Sequence, residues 1–391
     1  MSRNALIFAA VAAAAVILGG GYLAMSVGQD EAYEVTQPDA GGRILGALAA
    51  APSATAGAAS TVAASPSTGT TPGVDEMPGT APLPPATPSP TAPGAVRSAP
   101  ASFIVFLDDE DPTGRRVAVA SLDDPGGARD VTSTRCARVY IAGGVGVCLA
   151  ERGVSSFQNV AQLLDARLQV AGEFPFPGVP SRARVAGDGR YASGTVFVSG
   201  HTYAIGGAFS TRTVIIDVRT KQPILDLEQL AFTRDGKPFR QPDFNLWGVT
   251  FAADSNRFYA TLGTNTSWHI VEGDLAAKTA RVIFDLGECP SLSPDGTRIA
   301  FKRRNVADGT WRLGVLDLRT LTHRLVESET RNFDEQAEWL DNDRLIYGMP
   351  ASADGRRWDV WVVPADGSAA PQLLIPHASS PSVVRGSLVG R

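Results

Sequence analysis

Three short stretches of this sequence hold the side chains best suited to recognition. They are Arg182 with Arg184, then Asp243, Asn245 and Trp247, then Glu335, Gln336 and Glu338. Guanidinium and carboxylate groups make directional, charge-assisted hydrogen bonds, and a tryptophan adds a flat apolar surface with one donor. Brought to one place, these groups form a polar, partly aromatic rim of the kind that binds a peptide or a loop. The competing reading is structural. Trp247, like Trp311, Trp339 and Trp358, packs between units of the fold, and Glu335 and Glu338 are solvated or paired with arginine.

The motifs of common catalytic chemistries are missing. The sequence has no G-x-S-x-G nucleophile turn, no CxxC, no HExxH and no EF-hand loop. No glycine-rich phosphate loop stands at a strand-to-helix junction. The four histidines, His201, His269, His323 and His377, are far apart in sequence. Neither a metal nor a cofactor is expected. Of the three cysteines, Cys136 and Cys148 fall on neighbouring strands around Gly143-Gly144. An oxidising compartment would join them as a disulfide, the alternative being two buried thiols that pack as small hydrophobes. Cys289 is left as a free thiol.

The elements that must position the rim repeat along the chain. In Ser293-Pro294-Asp295-Gly296-Thr297-Arg298-Ile299-Ala300-Phe301, Pro294 presets a type I turn and Gly296 accepts the positive φ that reverses the chain. Weaker copies are Asp188-Gly189-Arg190-Tyr191, Asp254-Ser255-Asn256-Arg257-Phe258 and Asp341-Asn342-Asp343-Arg344-Leu345. A strand ending on a small or acidic residue follows each. The register Ser121, Asp165, Asp217, Asp274, Asp317, Pro364 has intervals of 44, 52, 57, 43 and 47 residues. Four short strands per repeat of this length predict an all-β, six-bladed β-propeller.

The first blade lacks an innermost strand, and residues 378–384 resemble the opening of the fifth. The C-terminal strand is therefore expected to complete the first blade and close the ring. The second blade is placed at 136–177 and the third at 181–232, with the fourth starting at Phe244, the fifth at Cys289 and the sixth at Phe333. Innermost strands begin around the central channel, so the eight rim residues are expected at one mouth.

Before the propeller, residues 1–29 carry only Arg3, then an alanine-rich apolar run. A cleaved signal peptide and a retained signal anchor are both open, with the anchor preferred and the N-terminus inside. Residues 30–101 form a linker dominated by Ala, Pro, Ser and Thr. Residues 37–101 hold twelve of the 27 prolines, too little apolar surface to offset ordering, so disorder is expected there. Residues 102–391 are the propeller. A net charge of −5 without a basic cluster argues against nucleic acid and anionic membrane surfaces as partners.

The Ser293–Phe301 stretch, with Asp359-Val360-Trp361-Val362-Val363-Pro364-Ala365-Asp366-Gly367, resembles the TolB-type WD40-like repeat. The resemblance covers about residues 102–391 and is sharpest in the last two blades. It implies an extracytoplasmic, monomeric scaffold or adaptor, tethered to the membrane or secreted, that binds a protein or cell-envelope component. The α/β domain that precedes the propeller in TolB itself is replaced here by the tail and linker. Distant residues converge in a ring, so a metal-dependent lactonase-like or sugar-processing site in the channel stands as the alternative.

Overall fold

The structure, a computed structural model, describes residues 102–385 except 111–113, 154, 200–208, 265, 353–354 and 356. The N-terminal segment and linker, and His201, lie outside the described residues. Among the described residues, no helix is long and apolar enough to cross a membrane.

Six sheets follow one another along the chain. The first holds β1 (Ser102–Asp108), β2 (Arg116–Ser121) and β3 (Arg129–Arg135), and its innermost place is taken by β26 (Ala378–Arg385). The second holds β4 (Arg138–Ala142), β5 (Val145–Ala150), β6 (Val160–Leu164) and β7 (Val170–Pro175). The third holds β8 (Val179–Val185), β9 (Tyr191–Ser199), β10 (Ser210–Asp217) and β11 (Gln222–Asp226). After β12 (Ala231–Arg234) and β13 (Lys237–Pro238) come β14 (Asn245–Phe251), β15 (Arg257–Gly263), β16 (Trp268–Asp274) and β17 (Thr279–Asp285) of the fourth. The fifth holds β18 (Gly287–Leu292), β19 (Arg298–Arg304), β20 (Trp311–Asp317) and β21 (His323–Leu325). The sixth holds β22 (Glu338–Trp339), β23 (Arg344–Pro350), β24 (Trp358–Pro364) and β25 (Gln372–Ile375).

The six-bladed propeller is therefore present, and the predicted register marks the third strand of every blade. β26 pairs antiparallel with β1, Phe103 opposite Val384 and Ile104 opposite Val383, so the ring closes as expected. Two details differ. Phe232 does not end the third blade; it lies in β12, which pairs in parallel with β17 and extends the fourth sheet to six strands. The residues linking blades 3 and 4 thus cover an outer edge that would otherwise present unpaired N–H and C=O groups. Cys136 sits just before β4 rather than on it.

The turn between the first two strands of each blade follows its local chemistry. Gly296 has φ +70°, and the serine that replaces it in the fourth blade, Ser255, is held at +53°. Asp254 Oδ1 supports that turn by accepting the Asn256 and Arg257 N–H groups at 3.0 and 2.8 Å.

The core lies between blades rather than inside one. Tyr259 and Ile270 of the fourth blade pack with Ile299, Phe301 and Leu316 of the fifth. Ala300 and Val315 of the fifth pack with Trp339, Tyr347 and Val363 of the sixth. Both faces of β19 are therefore buried, and each large side chain so buried stabilises by roughly 1.5–3 kcal/mol.

Candidate functional site

The innermost strands converge on the axis, and strand periodicity puts Arg182 and Arg184 of β8 on the same side. Arg184 reaches across the ring. Its guanidinium pairs with the Glu338 carboxylate of the sixth blade and donates to Ser291 Oγ of the fifth at 3.0 Å and to the Ala337 carbonyl at 2.7 Å. It also stacks 4.4 Å from the Tyr140 ring of the second blade, whose hydroxyl donates to Glu338 at 3.1 Å. Four blades meet at this one group.

Nearer the mouth, Arg182 lies 3.4 Å from Glu335 and 3.9 Å from Asp334. Gln336 donates to the Pro290 and Val249 carbonyls at 2.7 and 3.1 Å, joining blades 6, 5 and 4. The space left among Arg138, Tyr140, Arg182, Arg184, Glu335 and Ser380 is about 30 Å³, small beside the several hundred Å³ of a ligand pocket.

Burial pushes the Glu338 carboxyl up against the pull of Arg184. Burial and the Glu338 charge together raise the Tyr140 hydroxyl far above the ordinary tyrosine range. Tyr140 therefore stays protonated as a donor, which is what the carboxylate needs to remain satisfied away from water.

A second chain of buried charges adjoins the first. Lys302 of β19 pairs with Asp334 and stands 3.8 Å from Glu288, which takes Arg304 Nε at 2.9 Å and Trp311 Nε1 at 2.8 Å. Lys302 and Glu288 are fully buried. The Arg304 guanidinium lies 4.1 Å from the Trp268 ring and 4.6 Å from that of Trp311. Burial works to lower the Lys302 ammonium, but Asp334, Cys289 and Glu288 outweigh it and the net shift is upward. The sequence reading missed this chain. Its signal was the charged residues at 288, 302 and 304, set inside runs that otherwise read as buried strand.

The eight predicted rim residues thus divide. Arg182, Arg184, Glu335, Gln336 and Glu338 come together, but as groups bonded across the axis rather than as a solvated rim. Asn245 accepts the Thr211 N–H at 2.8 Å and donates to the Asp243 carbonyl at 3.2 Å, so this pair ties blade 4 to blade 3. Trp247 is fully buried. It packs edge-on to Phe209 at 5.7 Å and fills the space a side chain at Gly263 would need. The expectation of Trp247 as a rim contact is corrected: a ring this large in an inner strand is held by its neighbours.

Cys136 and Cys148 are bonded, with S–S 2.06 Å and Cα–Cα 5.5 Å, while Cys289 is a buried free thiol. At the seam where the ring closes, Asp109 meets Arg115 at 3.0 Å and accepts from Ser379 at 3.4 Å. Burial pushes its carboxyl up to about 6.

Among the described residues, no three His, Cys, Asp or Glu converge as metal ligands. One Ser–His–Asp arrangement exists, with His269 Nδ1 2.6 Å from Asp285 and Nε2 3.0 Å from Ser267 Oγ. Its exposure is inverted for catalysis. The imidazole is 2% exposed while the aspartate is 53% exposed and shared with Arg234. Ser267 Oγ is also held by Thr264 Oγ1 at 2.9 Å. The arrangement staples β16 to β17.

Among solved structures, the fold is similar to TolB from Acinetobacter baumannii. The TM-score is 0.50 at 15% identity, covering 73% of this chain and 66% of that one. This chain thus spans just under two thirds of that protein. A putative TolB from Agrobacterium tumefaciens aligns with a TM-score of 0.40 at 11% identity, over 71% of this chain and 89% of that one. A puromycin-hydrolysing peptidase from Mycobacterium tuberculosis aligns with 0.41 at 16% identity, over 72% and 44%. At these identities the likeness is one of fold, a TolB-like six-bladed β-propeller. No family model and no curated protein matches the sequence.

Proposed function

We propose that the chain is a non-catalytic, extracytoplasmic β-propeller that binds a protein or cell-envelope component through the face where its innermost strands begin. The observation that carries this is the axis itself. Arg184, Glu338 and Tyr140 commit their chemistry to one another, and the space beside them is about 30 Å³, too small for a small-molecule ligand. Recognition then falls to the loops around the mouth. Two of them carry large apolar side chains in water, Phe157 at 82% and Val306 at 65% exposure, features that favour a protein partner. The buried charges act by fixing where those loops stand. The Cys136–Cys148 bond supports an oxidising compartment, and residues 1–29 would supply the tether.

The test is photo-crosslinking in cells, with a benzophenone amino acid placed at position 157 or 306 of the full chain. The expected result is a covalent adduct with one envelope protein, lost when the other position carries aspartate. Absence of an adduct at both positions would remove the loop face as a binding surface.

A further inference from the structure

The opposite face of the ring carries the turns between first and second strands and between third and fourth strands. There the repeat builds the same groove twice. Between blades 3 and 4, Arg190, Ile224 and Leu225 face the 254–256 turn and Lys278 across a groove of about 380 Å³. Between blades 4 and 5, Arg257 and Ile283 face Gly296, Thr297 and Arg319 across about 570 Å³. Arg190 immediately precedes β9 and Arg257 opens β15, so the repeated arginine of the sequence motif reaches both grooves.

At two other places on this face the equivalent space is bridged. Between blades 5 and 6, Arg298 donates to the Asn342 carbonyl at 2.6 Å and lies 5.2 Å from the Trp339 ring. The Asp295 N–H meets Asn342 Oδ1 at 3.1 Å. Between blades 2 and 3, Lys221 donates to the Ala171 carbonyl and Gly143 abuts the Gly189 backbone. Two adjacent grooves stay open where two others are bridged.

Their charge is also distinct. Five cationic side chains line the two grooves against three carboxylates, in a chain whose net charge is −5. The carboxylates are occupied internally. Asp254 takes Arg257 at 2.9 Å, Glu272 takes Arg281 at 2.8 Å and Tyr259 at 3.2 Å, and Asp317 accepts three bonds from its own turn. Arg190, Lys278 and Arg319 stand exposed at the lips.

We propose that these grooves form one docking surface for an extended, acidic segment of a partner protein. An aliphatic side chain would sit on the apolar floor of each groove, with carboxylates meeting Arg190, Lys278 and Arg319. Charge complementarity selects this occupant: a basic segment would meet the excess cations, and a purely apolar one would leave them desolvated without partners. The surface is independent of the loop face and stands or falls separately.

The test uses the full chain and a fluorescein-labelled dodecapeptide alternating glutamate and leucine, with a lysine–leucine peptide as control, read by fluorescence anisotropy. The acidic peptide is expected to bind, more weakly as salt rises, and the basic one not to bind. Arg190→Glu/Lys278→Glu/Arg319→Glu is expected to weaken binding about tenfold. Arg167→Glu, on a turn of the second blade, should leave it unchanged. Hydrogen-exchange protection is expected at residues 254–257 and 296–298. The proposal is overturned by equal binding of the triple variant, by equal binding of the basic peptide, by no binding of the acidic peptide, or by protection confined to the loop face.

Discussion

Arg184 and Arg257 are each paired with one carboxylate, yet the two regions they belong to use that pair in opposite ways. Arg184 meets a carboxylate 154 residues away, both partners are buried, and four blades depend on the contact. Arg257 meets Asp254 three residues away at 2.9 Å, with the side chains 55% and 44% exposed, and only one turn depends on it. Water screens the second pair and is excluded from the first. The axis is therefore fixed by charges that must all be satisfied together, whereas the turn face keeps charges that can exchange partners. A ring of this kind keeps its rigidity at the centre and its freedom to bind at its edges.

Breaking the pair at the axis should have the largest effect. Glu338→Leu alone leaves a buried guanidinium without its carboxylate and is expected to cost about 3–5 kcal/mol. Arg184→Met/Glu338→Leu should recover most of that, because two well-packed apolar groups need no partner. Guanidinium chloride unfolding of the three chains measures this. A double variant no better than the single one would show that the pair is not the clamp.

A middle-sized effect is expected at the seam. Folded Asp109 keeps its proton up to about pH 6, whereas the unfolded carboxyl releases it near 3.8. The stabilisation from the protonated form is complete below about pH 3.8 and is lost as pH rises through about 6. Asp109→Asn mimics the protonated state at every pH. It should be more stable than the parent by about 1–3 kcal/mol at pH 7.5 and equal to it near pH 4. Urea unfolding at the two pH values separates this from a difference that does not vary with pH.

The smallest change is expected on the turn face. Arg257→Ala should shift stability by no more than about 1 kcal/mol, and less in high salt. A larger loss, measured by the same unfolding experiment, would mean that this pair carries the ring as the axial one does.

The architecture was legible because it is written in local signals. Pro294 and Gly296 specify a turn, the residues ending each third strand mark the period, and the missing strand of the first blade matches a surplus strand at 378–384. The site was legible only as a set of residue types. Arg182, Arg184, Glu335, Gln336 and Glu338 were expected with the other three at one mouth of the ring, but strand periodicity cannot tell a side chain facing solvent from one facing the opposite blade. For Trp247 the same limit left a rim contact and packing between blades both open, and the ring proves fully buried. Lys302, Arg304 and Glu288 were passed over because a charge within an apolar strand is informative only when its partner is known, and Asp334 is far away in sequence. The parallel pairing of β12 with β17 left no periodic trace, since three residues suffice for it.

The strand that completes the first blade gives the ring a late birth. Ser382 bonds the Val105 carbonyl across 277 residues of sequence. At a synthesis rate of about 5–20 residues per second, β1 waits roughly 15–55 s for its inner neighbour. Throughout that interval the inner edge of β1 has no partner strand. The last strand to emerge therefore decides whether the first blade is completed.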